Sequence, residues 1–355
     1  MRPISHYLSD MARILNLEGD ARTEFCKALS RSFQSGHTNF LLGSGASLPA
    51  VPIAGPVEDE IADLIGLGHL DEAKNRMYDF LANVRAPTNR LVEGAEDANN
   101  ATVIANYTAL LASIETILSE RRTTLLPRQA TIFTTNYDLF IEQASIGRPA
   151  LRLTDGFVRV PSLASRMEFS SRNFFTTTYD TGNVYAYRVE VPTVNLIKLH
   201  GSLSWSRASD VILFDVKSLA LLPEQKTPDA IQAFLDAHAI VLPQASKFQT
   251  TVLDRTYYDL LRIYANTLDR ENTLLLSFGF SFGDEHILDI TKRALKNPTL
   301  RLVVFAYNHP ARDRFAALFE PHLNVDVIAL ADTPLDFAAF NELLRSTLPV
   351  GVYNE

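Results

Sequence analysis

The sequence predicts an α/β fold: a Rossmann-like parallel sheet with helices on both faces, plus a helical insertion and a small β-containing insertion. Three observations lead there. Beyond Thr250, short apolar runs alternate with helical patterns, and successive strands joined through helices pair in parallel. Upstream, residues 39–42, 131–134 and 196–199 are compact apolar runs, as expected of strands covered on both faces. Each of these runs stops at a turn of unusual composition, and turns that follow parallel strands gather along one edge of the sheet.

Composition sets outer limits. The 355 residues are 46% hydrophobic and 21% charged, which describes a globular chain able to bury a large core. No repeat or low-complexity tract divides it, so 1–355 reads as a single domain. Within it, 1–37 is an N-terminal helical segment, 50–125 the helical insertion and 150–195 the β-containing insertion. No stretch approaches the roughly 20 uninterrupted apolar residues of a membrane helix. The first residues carry Asp10, Glu18 and Asp20 without an apolar run, unlike a signal or transit peptide, so the expected location is cytoplasmic, with no membrane partner. Lysine and arginine number 33 against 41 acidic residues, a net charge of -8, so no direct nucleic-acid partner is expected. Arg121 and Arg122 read as a solvated helix end. A single cysteine, Cys26, excludes an internal disulfide and every zinc site built from two or more thiolates.

In chain order, Phe25, Leu29 and Phe33 form one helical stripe in an opening segment that reads as helix to Ser35. The run 39–42 then delivers the chain into Gly43-Ser44-Gly45-Ala46-Ser47. Pro56 suits the first residue of a helix through Leu64, and helical pattern continues to Asn83. Ile104, Tyr107, Leu111, Ile114 and Leu118 predict an amphipathic helix over 103–120. Residues 131–134 form a β-branched run ending at Thr135-Asn136-Tyr137-Asp138. Residues 151–216 are β-like, and 184–191 alternates as a half-exposed strand. The run 196–199 stops at His200-Gly201. The regular part predicts a helix from about Leu253, strands over 273–278, 300–306 and 324–330, and helices over 285–296, 310–319 and 335–348.

The chemistry-bearing residues sit in the turns. Gly43 and Gly45 suit either a plain strand exit or a nest of N–H groups open to a diphosphate. The spacing is neither the dinucleotide fingerprint, since Leu48 stands where the third glycine belongs, nor a Walker loop. Asn136 and Asp138 point to one side while Tyr137 turns inward; an Asx turn capping a helix over 138–144 is the plain alternative. His200 is either a hydrogen-bonded core residue or a group that exchanges protons near neutral pH. In Gly279-Phe280-Ser281-Phe282-Gly283-Asp284-Glu285-His286 the acidic residues suit a first helical turn, and consecutive helical residues diverge too far to share a metal ion. Asn308 caps a helix or meets a sugar hydroxyl; Tyr257, Tyr258 and Phe282 read as core.

With these turns in order, the sequence resembles the sirtuin superfamily, and more closely the sirtuin-like NAD hydrolases of prokaryotic anti-phage defence. Gly43-Ser44-Gly45-Ala46-Ser47 matches the Gly-Ala-Gly-x-Ser loop, Thr135-Asn136-Tyr137-Asp138 the Thr-Gln-Asn-Ile-Asp segment, Leu199-His200-Gly201-Ser202 the His-Gly motif, and Gly279-Phe280-Ser281-Phe282-Gly283-Asp284 stands for Gly-Thr-Ser-Leu. The likeness covers roughly 38–310; the helical block and the β module are not matched position by position. It implies that Gly43, Ser44, Gly45, Ala46 and Ser47 cradle the NAD diphosphate and that Gly279 and Ser281 line the adenosine-side ribose, with Asn308 near it. It implies that Asn136 positions the nicotinamide ribose and a water, that Asp138 holds the carboxamide, and that His200 accepts a proton. Two departures stand out: the zinc module of deacylating sirtuins needs four cysteines where this chain has Cys26 alone, and Thr135 replaces the glutamine before the asparagine.

The implied activity is NAD glycohydrolysis, with NAD as substrate and no zinc, in an NAD-depleting defence effector. Its chemistry suits the residues. Nicotinamide in NAD is already cationic, so its departure needs stabilisation of an oxocarbenium-like centre and a placed water, not a nucleophilic triad. No appended sensor is evident, which leaves activation to self-assembly as a homo-oligomer or to a separate partner such as a HerA-type ATPase or an Argonaute-like protein. A module that senses NAD or ADP-ribose, or an NAD-dependent deacylase, are the alternatives.

Overall fold

The computed structural model describes residues 12–53, 55–159, 167–182, 187–208, 211–216, 227–240 and 251–348. The chain begins with β1 (Arg13–Asn16), α1 (Gly19–Ser35) and β2 (His37–Leu42). A helical block follows, α2 (Gly55–Gly66), α3 (Leu70–Val92) and α4 (Ala98–Ser119). Next come β3 (Gln129–Thr134), α5 (Phe140–Ile146), β4 (Arg152–Thr154), β5 (Phe157–Arg159), β6 (Met167–Phe169), β7 (Tyr179–Asp180) and β8 (Val189–Glu190). The middle continues through β9 (Thr193–Lys198), β10 (Gly201–Ala208), β11 (Val211–Phe214), α6 (Pro228–Ala237) and β12 (His238–Ile240). The last part is α7 (Thr251–Leu268), β13 (Thr273–Phe278), α8 (Glu285–Ala294), β14 (Arg301–Phe305), α9 (His309–Leu318), β15 (Val325–Ala329) and α10 (Phe337–Arg345).

The eight-stranded sheet has the order β1-β15-β14-β13-β2-β3-β9-β4, and every pairing is parallel. Alternate residues of each central strand serve opposite faces. Phe40, Leu42, Ile132 and Leu276 pack with Phe25, Leu29 and Phe33 of α1, Tyr107 and Leu111 of α4 and Phe340 of α10. Leu41, Phe133, Ile197 and Leu275 pack on the other side with Leu260 and Tyr264 of α7, Ile287 of α8 and Phe315 of α9. Helices therefore cover both faces, and the fold is Rossmann-like α/β. Helix α4 is apolar and long enough to cross a membrane. Its Leu110, Leu111, Ile114 and Leu118 are fully buried in this core instead.

A five-stranded antiparallel sheet, β12-β10-β11-β6-β5, draws its strands from both sides of β9 in sequence, and β7 and β8 form a two-stranded ribbon. The segment 184–191, expected as one alternating strand, coincides with β8 at its end; residues 183–186 lie outside the described residues. Three other expectations need correction. The opening segment is not all helix, because β1 adds an edge strand beside β15, tied down by Arg13 and the buried Asp326 at 2.6 Å. Arg121 is not solvated: it is buried, and its guanidinium donates to Gly36 O at 2.9 Å and Thr38 Oγ1 at 3.0 Å, fastening the entry of β2. Tyr258 is exposed, unlike its buried neighbour Tyr257.

The strand ends bear on function. Registers pair Phe305 with Phe278, Phe278 with Leu42, Leu42 with Thr134 and Thr134 with Lys198, so β14, β13, β2, β3 and β9 finish at one level. Chain order runs from β2 to β3 on one side, while β13 flanks β2 on the other. Ligands of open α/β sheets occupy the crevice at such a reversal, outside the carboxyl ends of the strands.

Candidate active site

The turns after β13, β2, β3 and β9 close around a cleft of about 600 Å³, open to solvent. Ser44 and Ser47 line it, with Asn136 and Asp138, His200, and Gly279 and Ser281, so the convergence expected from sequence is realised. Val51 and Pro52, and Phe80 and Val84 from α3, supply an apolar wall.

The glycines explain how the turns fit together. A Cβ on Gly43 would come 2.5 Å from Gly279 O and 2.6 Å from Phe280 Cα, and one on Gly45 would come 2.8 Å from Gly279 Cα. Gly279 itself has φ +65°, a conformation that side chains resist. Two backbone turns thus pack directly on each other, with Gly43 N donating to Phe278 O at 3.1 Å and Gly45 N to Gly279 O at 3.0 Å. Ala46 N donates back to Gly43 O. Gly43, Gly45 and Ala46 accordingly support the floor, while half-buried Ser44 and fully buried Ser47, on the short 3-10 turn Ser44–Ser47, line the cleft.

Asn136 is fixed without ambiguity. Its Nδ2 donates to Gly43 O at 3.0 Å, an acceptor by nature, so the amide orientation is settled by chemistry. Nδ2 also meets Ser47 Oγ at 3.0 Å, and Ser47 Oγ donates to Asp138 Oδ2 at 2.7 Å, giving a directional chain from amide through hydroxyl to carboxylate. Tyr107 OH, from the helical block, lies 3.4 Å from both Asn136 Nδ2 and Ser47 Oγ. Burial, reinforced by Asp138, pushes the Tyr107 phenol far above its ordinary range, so it stays a neutral hydroxyl. With both amide protons spent, Asn136 Oδ1 is left as an acceptor among the described residues.

Asp138 does not begin the next helix, which starts at Phe140 with Leu139 as its cap; Asp138 Oδ1 accepts Phe140 N at 3.3 Å. Beneath it lies Lys198, buried at the last position of β9. Its Nζ donates to Asp138 O, to Ser202 Oγ at 3.2 Å and to Glu142 Oε1 at 2.8 Å. Burial raises the Glu142 carboxyl, and Lys198 opposes that rise. His200 follows at once, with Gly201 at φ +81° turning the chain into β10. His200 Nε2 lies 3.0 Å from Asp284 Oδ2, and the ring packs 6.4 Å from that of Tyr137. Burial alone would raise the Asp284 carboxyl; the His200 contact and the Ile287 N–H outweigh it and hold that carboxyl well below the ordinary range.

Asn308 stands apart, one strand further out: it caps α9 with Oδ1 accepting Ala311 N at 3.0 Å, and it is not among the residues lining the cleft. Sequence reasoning missed Lys198, Tyr107 and Asp284 as parts of the site. A lysine inside the apolar run Leu196-Ile197-Lys198-Leu199 was a usable signal, because a strand buried on both faces holds a cation only if something receives it. Nothing local marks Tyr107, or Asp284, which is 84 residues from its histidine. Among the described residues no group of three or more His, Cys, Asp or Glu is placed to hold a metal ion.

No curated protein matches the chain. The SIR2-like domain profile matches residues 130–328, from β3 to β15, and leaves the first glycine turn and the helical block outside the matched part. That stretch is more than half of the chain and holds three of the turns that form the cleft. The chain therefore belongs to the SIR2-like family, whose domains are typically NAD-dependent enzymes and whose membership implies NAD binding.

Proposed function

We propose that the protein is an NAD glycohydrolase that cleaves NAD to nicotinamide and ADP-ribose, acting as the NAD-depleting effector of an anti-phage defence system. The observation that carries this reading is the pinned Asn136 amide, whose oxygen has no partner among the described residues and which shares one cleft with His200. The bond to be broken joins a ribose carbon to a pyridinium nitrogen. Its cleavage returns the electron pair to a ring that departs neutral, so the site has to steady positive charge on the sugar and deliver water. Asn136 Oδ1 accepts a hydrogen bond from that water or from a ribose hydroxyl, and His200 takes the proton released on attack. Ser44 and Ser47 meet the diphosphate, Gly279 and Ser281 the adenosine-side ribose, and Asn308 lies outward of them. Asp138, each oxygen of which already receives one donor and keeps a lone pair, takes the carboxamide.

Activity is held back until a trigger arrives, through homo-oligomer assembly or through a separate sensor such as a HerA-type ATPase or an Argonaute-like protein. Chromatography of NAD incubated with the purified protein, alone and with that partner, tests the reading. Nicotinamide and ADP-ribose in equal amounts, lost on Asn136→Ala, are expected. NAD left intact under every condition contradicts it.

A further inference from the structure

We propose that Asp284 is the positioning residue of His200: its carboxylate holds the imidazole in the tautomer protonated at Nε2, which leaves Nδ1 as the nitrogen that accepts the proton. The inference rests on the glycohydrolase reading of the cleft. A capping aspartate needs one oxygen, and Asp284 spends Oδ1 in that way on Ile287 N at 3.0 Å, at the start of the ten-residue α8. The other oxygen, Oδ2, is turned to His200 Nε2 at 3.0 Å. An ionised carboxylate only accepts, so Nε2 must carry hydrogen. Among the described residues no other group bonds to the ring, and both side chains are largely buried, at 16% and 24% exposure.

The placement is rigid from both sides. Phe282 adopts φ +57° two residues before Asp284. Its ring is clamped edge-on by Phe280 and Phe319, each at 5.0 Å, and by Phe315 at 5.9 Å. A left-handed conformation at a bulky residue persists only where its surroundings enforce it, so the turn delivers Asp284 to one position. His200 is fixed by the sharp turn at Gly201, where a Cβ would overlap the Ala239 carbonyl. In the reaction, water attacks the ribose carbon as the bond to nicotinamide breaks. One water proton passes to Nδ1 and then to solvent, so NAD and water yield nicotinamide, ADP-ribose and a proton. Asp284 touches none of the reacting atoms; it orients the base and stabilises the imidazolium formed in passing.

Asp284→Asn separates this role from capping. Asparagine caps helices as well as aspartate, and its oxygen retains the Ile287 N–H. The atom then facing His200 is an NH₂, which only an unprotonated Nε2 can receive, so the ring proton moves to Nδ1 and the base is lost. Expected are a melting temperature close to that of the wild type, a kcat lower by about a thousand- to ten-thousand-fold, and a KM for NAD nearly unchanged. Nitrogen-15 NMR of the neutral imidazole is expected to show hydrogen at Nε2 in the wild type and at Nδ1 in the variant. Wild-type His200 protonated at Nδ1, or an Asp284→Asn enzyme within about threefold of wild-type turnover, overturns the proposal. The spectrum needs no turnover, so a wrong tautomer sinks the positioning role alone, whereas wild-type protein that releases no nicotinamide sinks the glycohydrolase reading.

Discussion

Asn136 cannot be exchanged for aspartate without turning a donor into an acceptor against the Gly43 carbonyl. Asn136→Asp is expected to cost about 1–3 kcal/mol, the penalty of a buried polar contact left unmade, besides abolishing turnover. Thermal unfolding checks it, and an unchanged melting temperature would contradict the hydrogen bond from Asn136 to Gly43. Lys198 is the second sensitive residue. Lys198→Met leaves the Glu142 carboxylate buried and unpaired and is expected to cost about 3–5 kcal/mol, most of it recovered in the double variant Lys198→Met/Glu142→Leu. The pH dependence has a definite sign. Burial already raises the Glu142 carboxyl, and loss of the lysine raises it further, so the folded state holds that proton more tightly than the unfolded chain. Acidification then favours folding at this group, and the deficit of Lys198→Met should shrink as the pH is lowered in chemical denaturation. The shared cleft of Asn136, Asp138 and His200 was legible in sequence because each lies in a turn directly after an apolar strand, and such turns gather at one edge of a parallel sheet. Their partners were not: Tyr107 lies 29 residues before Asn136, and Asp284 lies 84 after His200, distances that only the tertiary fold closes.

At the scale of elements, the close contact is turn on turn. Gly45→Ala would drive a methyl into the Gly279 backbone, and overpacking of this kind typically costs about 1–3 kcal/mol. Gly66→Ala, at the end of α2 with nothing near its Cβ position, is the control, expected to be neutral or stabilising by up to about 1 kcal/mol. Equal melting temperatures for the two variants would contradict the account of the cleft floor. Strands β2, β3, β9 and β13 to β15 could be read from sequence because burial on both faces leaves uninterrupted apolar runs. The edge strand β1, four residues and mostly exposed, leaves no such trace. In β10 the buried positions beside Leu203 and Trp205 are Ser202 and Ser204. Their hydroxyls bond to each other at 3.1 Å, and Ser202 Oγ also donates to Tyr137 O, so polar residues sit where alternation would signal a solvent face.

For the whole molecule, topology assembles the site from pieces that sequence keeps apart. The SIR2-like match begins at residue 130, yet the glycine turn at 43 belongs to the same cleft, because β2 lies between β13 and β3. The helical block adds a wall through Phe80 and Val84 and a hydroxyl through Tyr107, so it is part of the site as well as a cover for the sheet. The proposed function requires one dinucleotide to lie across these turns. The most direct test is a crystal structure of the His200→Ala variant with NAD, which should trap uncleaved substrate. The diphosphate is expected beside Ser44 and Ser47, and the nicotinamide ribose within hydrogen-bond reach of Asn136. NAD bound elsewhere on the molecule, or no binding at millimolar concentration, would contradict it.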